Sequence, residues 1–459
     1  MLHLNRQAIK QHADEWKQAG IATYQFDDAA VAAETKKAPQ WVHFGGGNIF
    51  RAFIAALQQH LLNNGQAKTG IITAETYDEE VIEKVYRPFD NLSLAVTMYA
   101  DGRFENEVIG SVVDSVVCRP DFAEDWNRLK EIFTNPSLQI ASFTITEKGY
   151  KLTNYAGEYF PAVAEDMKNG PEKATSSMGC IAALAYARYK AGAYPFAFLS
   201  MDNCSHNGDK IKAAMTTFAD AWVKNGVADA GFADYINNPQ KVTFPWSMID
   251  KITPRSSAKV QDYLKGLGFE DTDLIHTEKG TYAAFVNAEN AQYLVIEDTF
   301  PNGRPALENS GVIFTDRETV DKVERMKVCT CLNPLHTALA VYGCLLGYTL
   351  IADEMNDAQL KGLIEKIGYQ EGLPVVTNPG VLEPQAFIKE VLEQRLTNGN
   401  LPDTPQRIAS DTSQKVGIRF GETIKAYGDK AKDLEFIPLA IAGWCRYLLA
   451  VDDEGNAFE

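Results

Sequence analysis

The sequence is short of positive charge and of paired cysteine motifs, and each shortage excludes a class of protein. Its 459 residues include 44 lysines and arginines against 61 acidic residues, a formal net charge of −17. This balance argues against general nucleic-acid binding and against docking on an anionic membrane, because both need basic surface. The seven cysteines are odd in number and form no C-x-x-C pair, so neither a disulfide framework nor a metal site is expected.

Two targeting features are also missing. No apolar stretch reaches the roughly 18 residues that a membrane span needs, and the polar segment from Met1 to Gly20 lacks the apolar core of a signal peptide. We therefore expect a cytoplasmic protein. The composition, with 45% hydrophobic and 23% charged residues, is typical of a globular protein. The chain is longer than a single hydrophobic core usually accommodates, so we predict two domains, or three.

A glycine-rich stretch organises the N-terminal part of the chain. The apolar run from Trp41 to Phe44 has strand length, glycines follow at Gly45 and Gly47, and apolar residues then return at helical spacing. This strand-turn-helix pattern lets the backbone approach a pyrophosphate, while the helix start at Asn48 and Arg51 receives the anionic charge. The expected ligand is a dinucleotide, although a glycine turn that joins any strand to any helix gives the same pattern.

The loop departs from the G-x-G-x-x-G fingerprint because Phe50 replaces the third glycine. The next strand, from Gly70 to Tyr77, brings Glu75 near the place where an acid accepts the adenosine ribose hydroxyls. A carboxylate there repels a 2'-phosphate and favours NAD over NADP. Asp78 is a competing candidate, and a solvated strand end is the structural alternative for Glu75.

Two later apolar strands end in polar clusters. Leu138 to Ile145 is followed by Thr146 to Tyr150, and Pro195 to Met201 is followed by Asp202 to Asp209. Because open α/β sheets bind ligands at the carboxyl ends of parallel strands, we expect both clusters at one rim. The segment from Phe244 to Arg255 is too rich in proline for regular structure and too apolar for a solvated loop, so it should pack against another element.

After a turn at Asn302 to Pro305 the pattern becomes almost wholly helical. We therefore predict an α/β fold, with a Rossmann-like dinucleotide-binding domain at residues 1–300, an all-helical domain at residues 301–459 and a cleft between them. The predicted helices of the second domain are Glu318 to Cys331, Pro334 to Leu350, Asp357 to Ile367, Pro384 to Leu396, Ser410 to Tyr427 and Phe436 to Ala450.

The candidate chemistry lies where the first two of these helices meet. Proline disfavours helical geometry at the preceding residue, so Asn333 should sit at a break and Pro334 should open a new helix. Asn333 and His336 then face one side, and Lys327 can converge on them as a proton donor. Each residue also has a purely structural interpretation, as a helix cap, a core histidine or a solvated lysine.

With these residues assembled, nearly the whole chain resembles the mannitol dehydrogenase family of polyol-specific long-chain dehydrogenases and uronate reductases. The resemblance rests on seven motifs in the family's order: Phe44 to Ala52, Thr146 to Tyr150, Asp202-Asn203 with Asn207-Gly208, Asp250 to Pro254, Asn302 to Pro305, Leu332 to His336, and Arg407 to Lys415.

The resemblance implies a metal-independent dehydrogenase that uses NAD. Lys327 resembles the family's general acid/base, and Asn203 and Asn333 resemble the pair that hydrogen-bonds the reacting oxygen. The resemblance also implies a substrate histidine at His336, a nearby acid at Asp250 and a substrate-contacting arginine at Arg407. The glycine loop and the strand ends predict the cofactor site, which comprises Gly45, Gly47, Asn48, Arg51, Glu75 and Thr146. One departure is visible: the family usually places its lysine five residues before the asparagine, whereas Lys327 and Asn333 are six apart. Either a helix break absorbs the extra residue, or Lys327 does not match the family's lysine.

The substrate is expected to be a sugar acid or a polyol. A hexuronate carboxylate needs a cationic partner, for which Arg407, Lys415 and Lys148 are candidates unless they pair with Glu147 and Asp411. The resemblance favours interconversion of fructuronate and mannonate. Tagaturonate reduction and mannitol or arabinitol 2-dehydrogenation are alternatives, a sugar phosphate is possible, and a non-catalytic dinucleotide sensor is a hypothesis from another class. The oligomeric state is left open.

Overall fold

The structure is a computed structural model and describes residues 2–452 and 454–457. The chain forms two compact units. Unit 1 comprises Met1–Thr97, Glu105–Ala288 and Gln292–Arg317, and unit 2 comprises Met98–Phe104, Glu289–Ala291 and Glu318–Glu459. The main transition therefore falls at Arg317, not near residue 300 as the turn chemistry suggested. Two short segments from the first part of the chain belong to unit 2.

The strands are short, as is usual for globular domains. They are β1 Ile21–Ala22, β2 Trp41–Phe44, β3 Ile71–Glu75, β4 Ser93–Met98, β5 Phe104–Ile109, β6 Val112–Val117, β7 Ile140–Phe143, β8 Phe196–Ser200, β9 Val242–Thr243, β10 Ser247–Asp250, β11 Ile275–His276, β12 Thr281–Tyr282, β13 Phe285–Glu289, β14 Tyr293–Glu297 and β15 Ile313–Thr315.

The α-helices occur in both units. They are α1 Arg6–Gln11, α2 Ala13–Gln18, α3 Asp28–Lys37, α4 Ala55–Asn63, α5 Ala123–Thr134, α6 Thr146–Gly149, α7 Pro161–Asn169, α8 Ser177–Gly192, α9 Asn207–Lys224, α10 Gly231–Asn237, α11 Ala258–Gly266, α12 Arg317–Met326, α13 Asn333–Leu345, α14 Ile351–Glu354, α15 Ala358–Glu365, α16 Pro384–Glu390, α17 Pro405–Ala409, α18 Thr412–Arg419, α19 Gly421–Tyr427 and α20 Phe436–Tyr447. Stretches of π-helix are Phe50–Ile54, Ile82–Tyr86, Lys327–Cys331, Lys366–Gly372 and Val391–Arg395.

Unit 1 is built on a parallel six-stranded sheet in the order β6-β3-β2-β7-β8-β9. The strand order reverses between β2 and β7, where a Rossmann-type sheet binds its dinucleotide. The sheet is buried on both faces, since Val42 and Phe44 of β2 pack into one apolar cluster and Trp41 into the other. The predicted Rossmann-like α/β domain is thus confirmed.

A second expectation about unit 1 was wrong in part. The proline-rich segment after Phe244 does contain regular structure, because β10 pairs antiparallel with β14 from Ser247 to Asp250. All four residues of β10 are buried, so the segment packs as expected. The prolines at 245 and 254 lie outside β10, where they do not interrupt the ladder of hydrogen bonds.

Arg188 ties the connections of the sheet together at its amino-terminal edge. Its buried guanidinium donates to the carbonyls of Phe133, Asn135, Leu138 and Pro195, and its Nε donates to the carbonyl of Tyr194. Burial lowers the pKa of Arg188 to about 10. The buried charge is accommodated because backbone carbonyls accept all these N–H groups.

In unit 2 the helices and strands that the structure describes from Glu318 onwards are all helices, joined by turns and loops, and an isolated β-bridge pairs Val451 with Ala457. One run, Arg317–Leu345, is long and apolar enough to cross a membrane by length and composition, which the sequence analysis did not anticipate. The most apolar 18-residue segment of this run is 72% buried inside the protein. Central helices of globular proteins pass the same test, so this run is weak evidence for a span.

Candidate active site

The glycine loop after β2 has the geometry that a dinucleotide site requires. Gly45 has φ +107°, and a Cβ there would lie 2.3 Å from the carbonyl oxygen of Thr144, so only glycine fits. A Cβ on Gly47 would meet no atom within 4 Å, so the backbone at this position is open to a ligand. The first N–H groups of the helix that follows have no partner within the helix, and they are available to an anion.

Glu75 supports this loop from the end of β3. Its buried carboxylate accepts hydrogen bonds from the N–H groups of Gly46 at 2.8 Å and of Thr76 and Tyr77 at 2.9 Å. Burial raises the pKa of Glu75, and these backbone donors oppose that rise. The carboxylate therefore holds the glycine loop in place through the backbone N–H of Gly46. The contact of Glu75 with the ribose stays a prediction.

The competing acid Asp78 is buried as well. Its carboxylate accepts from the hydroxyls of Thr277 at 2.7 Å and Tyr282 at 3.2 Å. Two acids, Glu79 and Asp121, line a cavity of about 570 Å³ at the ends of β3 and β6. The sequence analysis did not single out Glu79 or Asp121, because the fingerprint counts positions along the chain and carries no information on which carboxylates accept hydrogen bonds from the backbone.

Arg51 lies behind the loop, and Asn48 is half-buried at its surface. The Arg51 guanidinium is buried and donates to the carbonyls of Ala283 and Ala284 at 2.8 and 3.2 Å. Burial lowers its pKa, and Nη1 has no hydrogen-bond partner among the described residues. Arg51 thus places a positive charge beneath the helix start.

The two polar clusters predicted to share a rim do so. Asp202, after β8, accepts hydrogen bonds from the backbone of Ile145 and Thr146 at 3.0 and 2.8 Å and from the Tyr150 hydroxyl. Thr146 adopts φ +63°, and its side chain and that of Lys148 are exposed. The carboxylate of Asp202 therefore sets the conformation of the whole segment after β7.

Asn203 follows Asp202 and is exposed at the same rim. The next asparagine, Asn207, is buried and exchanges hydrogen bonds with Ser247 of β10. This link joins the start of α9 to β10, which ends at the buried Asp250. The sequence predicted Asn203 and Asp250 as site residues, while Asn207 has a structural role that explains its place in the motif.

In unit 2, Lys327 is buried and begins a π-helical turn between α12 and α13. The Leu332 N–H donates to the Lys327 carbonyl at 3.1 Å, a bond that spans five residues. A π turn contains one residue more than an α turn. One wide turn thus lies within the six-residue interval between Lys327 and Asn333, and such turns occur frequently at functional sites.

Asn333 is the first residue of α13, and the irregular residue at the break is Leu332. The expected break therefore falls one residue earlier than predicted, and Asn333 does not cap the helix. His336 lies one turn into α13, with its Nε2 2.7 Å from Oδ2 of Asp403. Burial would raise the pKa of Asp403, but His336 and Arg407 hold it below its ordinary value. Sequence reasoning missed Asp403, which lies outside the motifs.

The cations predicted to meet a substrate carboxylate differ in their partners. Arg407 has a side chain 65% exposed and pairs with Asp403 at 2.6 Å. Lys415 pairs with Asp411, as the alternative interpretation anticipated, whereas Glu147 pairs with Lys210 and not with Lys148. Within residues 2–452 and 454–457 no group of three or more histidine, cysteine or acidic side chains is arranged to hold a metal ion.

Two family models match this chain, one in its first part and one in its second. The mannitol dehydrogenase Rossmann domain model matches residues 39–309, and the mannitol dehydrogenase C-terminal domain model matches residues 319–459. The chain belongs to the mannitol dehydrogenase family. The family resemblance seen in the motifs is confirmed, and the chain is an oxidoreductase that acts on CH–OH groups.

Individual relatives agree with this assignment. The chain is 55% identical to the D-mannonate oxidoreductase of Thermotoga maritima, over 100% of this chain and 85% of the relative. Among solved structures, Pseudomonas fluorescens mannitol 2-dehydrogenase in complex with NAD and D-mannitol has a TM-score of 0.75 and 28% identity, covering 99% of this chain and 86% of that one. A substrate-free D-sorbitol dehydrogenase has a TM-score of 0.82 and 27% identity, covering 96% and 85%.

Proposed function

We propose that this family member interconverts D-fructuronate and D-mannonate with NAD as its cofactor. The observation that carries the proposal is the 55% identity to a D-mannonate oxidoreductase along the whole of this chain. A polyol dehydrogenase is a weaker alternative, since the solved mannitol and sorbitol dehydrogenases are 28% and 27% identical.

The residues of unit 1 fit a dinucleotide. The strand order reverses beside the glycine loop, Gly47 leaves the backbone open, and buried Arg51 adds positive charge behind the helix start. Gly45, Gly47 and Asn48 would hold the pyrophosphate, and Thr146 would lie beside the cofactor at the rim after β7. Glu75 would contribute by holding the glycine loop in place through its hydrogen bond from Gly46. The bound cofactor would supply or accept the hydride.

The proton chemistry is assigned to unit 2. Lys327, held in the π turn, would donate a proton to the substrate carbonyl oxygen during reduction and take it back during oxidation. The amide group of Asn333 would donate a hydrogen bond to that oxygen as its negative charge develops, and the family resemblance implies the same role for Asn203. His336, oriented by Asp403, would bind a substrate hydroxyl, and Asp250 and Arg407 would complete the substrate contacts. The cytoplasmic location stays a prediction.

The proposal is tested by NADH oxidation with fructuronate, tagaturonate and fructose under identical conditions. Fructuronate should turn over fastest. Lys327→Met should lower kcat about 100-fold or more while the affinity for NADH, measured by its fluorescence, stays unchanged. Lys322→Met is the matched control, because Lys322 lies on α12 in an ion pair with Glu318 at the surface and should keep full activity.

The other outcomes are informative. Fastest turnover of fructose would place the protein with the polyol dehydrogenases, and fastest turnover of tagaturonate would change the hexuronate. Tight NADH binding without turnover of any sugar would support the sensor hypothesis. An active Lys327→Met variant would show that another residue is the general acid/base.

A further inference from the structure

A hexuronate differs from a polyol in one charged group, its carboxylate. Burying that carboxylate in a site is unfavourable without a cationic partner. The cations suggested by the sequence are poorly suited to this task, because Arg407 and Lys415 already pair with Asp403 and Asp411. Lys148 is exposed to solvent, where a single charge contact contributes little.

A fourth cation, Arg419, also lies beside residues of the proposed chemistry. It is the last residue of α18, which packs against both the π turn that begins at Lys327 and helix α13. Its Nη1 donates to the hydroxyl of Thr337 at 2.5 Å. Thr337 is fully buried and follows His336 directly in the chain. The guanidinium is thereby anchored beside the histidine that is proposed to bind the substrate.

The charge of Arg419 is incompletely compensated. Within the described part of the chain no carboxylate lies within ion-pair distance of the guanidinium, and its hydrogen bond goes to the neutral Thr337. Burial lowers the pKa of Arg419, with only a Coulombic contribution from Asp411 opposing the decrease. A partly dehydrated guanidinium without a carboxylate is stabilised by an incoming anion. One of its five N–H groups is used by Thr337, so others remain to form a two-point contact.

We propose that Arg419 binds the carboxylate of the hexuronate and is the residue that makes this enzyme prefer a sugar acid to a polyol. The inference rests on the proposed function. Thr337 acts as a positioning residue, since its hydroxyl holds the guanidinium next to α13. Arg407, which pairs with Asp403, would then contact an uncharged group of the substrate and not its carboxylate.

The test compares a charged and an uncharged substrate in the same variant. Arg419→Gln should raise KM for fructuronate about 100-fold, in line with the loss of a buried charge-assisted contact, and change kcat far less. KM for fructose and the affinity for NADH should stay within about twofold. The Kd of mannonate for the protein–NADH complex, measured by calorimetry, should rise by the same factor as KM for fructuronate. Arg325→Gln is the control, because Arg325 pairs with Glu422 on the surface.

Two further variants keep the test decisive if Arg419→Gln is unstable. Arg419→Lys retains the charge without the planar fork and should raise KM for fructuronate about 10-fold. Thr337→Val should also raise KM for fructuronate, by a smaller factor. Equal losses for fructuronate and fructose, or an unchanged KM in Arg419→Gln with a raised one in Arg407→Gln, would overturn the assignment. Wild-type protein inactive on fructuronate would instead reject the proposed function.

Discussion

The hydroxyl of Tyr150 donates a hydrogen bond to the carboxylate of Asp202, with 2.5 Å between the two oxygens. The two residues follow neighbouring parallel strands, β7 and β8. Because Asp202 also accepts from the backbone of Ile145 and Thr146, one carboxylate holds three donors of the segment after β7. The sequence shows two separate polar clusters, and the fold makes them one rigid rim.

Tyr150→Phe should loosen this rim. The substitution leaves part of a buried carboxylate unsatisfied, which costs about 1–3 kcal/mol of the free energy of unfolding. Thermal denaturation should show a lower Tm, and NADH affinity should fall because Thr146 loses its fixed position. Tyr155→Phe is the control, since Tyr155 is fully exposed and should change neither value. Identical Tm values for both variants would contradict this role.

Gly45→Ala and Gly47→Ala should separate stability from cofactor binding. Gly45 has φ +107° and a backbone oxygen 2.3 Å from the position of a Cβ, so alanine there should destabilise the fold by a few kcal/mol. At Gly47 a Cβ meets no atom within 4 Å, so the Tm should be retained. NADH affinity should nevertheless fall at Gly47, because the methyl group would occupy the approach of the pyrophosphate. Unchanged NADH binding in Gly47→Ala would exclude this contact.

Deletion of Val328 should test the wide turn before Asn333. Removing one residue converts the π turn to an α turn and restores the five-residue interval, so the protein should fold and keep at least a tenth of its activity. Deletion of Arg325 is the matched control. It lies in regular α-helix, where loss of one residue rotates Val320 and Val323 out of the core. Equal loss of activity in both deletions would show that the turn does not absorb the extra residue.

Glu79→Gln should relax the choice of cofactor. The Glu79 carboxylate pairs with Arg119 at 2.9 Å and with Lys279 at 3.4 Å beside the cavity at the ends of β3 and β6. Neutral glutamine removes a negative charge and releases Lys279 from its ion pair, while Arg119 keeps its pair with Asp121 at 2.6 Å. Lys279 can then meet a 2'-phosphate, so NADPH should bind at least 10-fold more tightly, as measured by its fluorescence, with NADH little changed. Glu80→Gln is the control, since Glu80 pairs with Lys84 instead. No gain in NADPH affinity would reject the role of Glu79.

Glu354 should make stability depend on pH. Its fully buried carboxyl lies against Gly343, and burial raises the pKa of Glu354 to about 9, from 4.5. The folded chain thus keeps a proton that the unfolded chain releases between pH 4.5 and 9. Stability should therefore fall as pH rises through this window, by at most about 1.4 kcal/mol per unit. Glu354→Gln should flatten the dependence in chemical denaturation, whereas the exposed Glu435→Gln should not.

The candidate site could be predicted only in part from the sequence. The sequence predicts Gly45, Lys327, Asn333 and His336 because motif spacing reflects local geometry, namely a turn or a helix face. The sequence does not point to Asp403 or Arg419, because their contacts with His336 and Thr337 depend on which helices pack together. Glu75 was expected to face the ribose, yet its carboxylate accepts from its own loop, a contact that no spacing rule reports.

The sequence by itself determined the α/β class, the glycine loop and the helical second part, because hydrophobic periodicity and glycine conformation act over a few residues. Only the tertiary structure decided the strand order, the transition at Arg317, the wide turn at Lys327 and the pairing of each cation. Those features depend on contacts between residues far apart in the chain, where burial removes water and makes the choice of partner decisive.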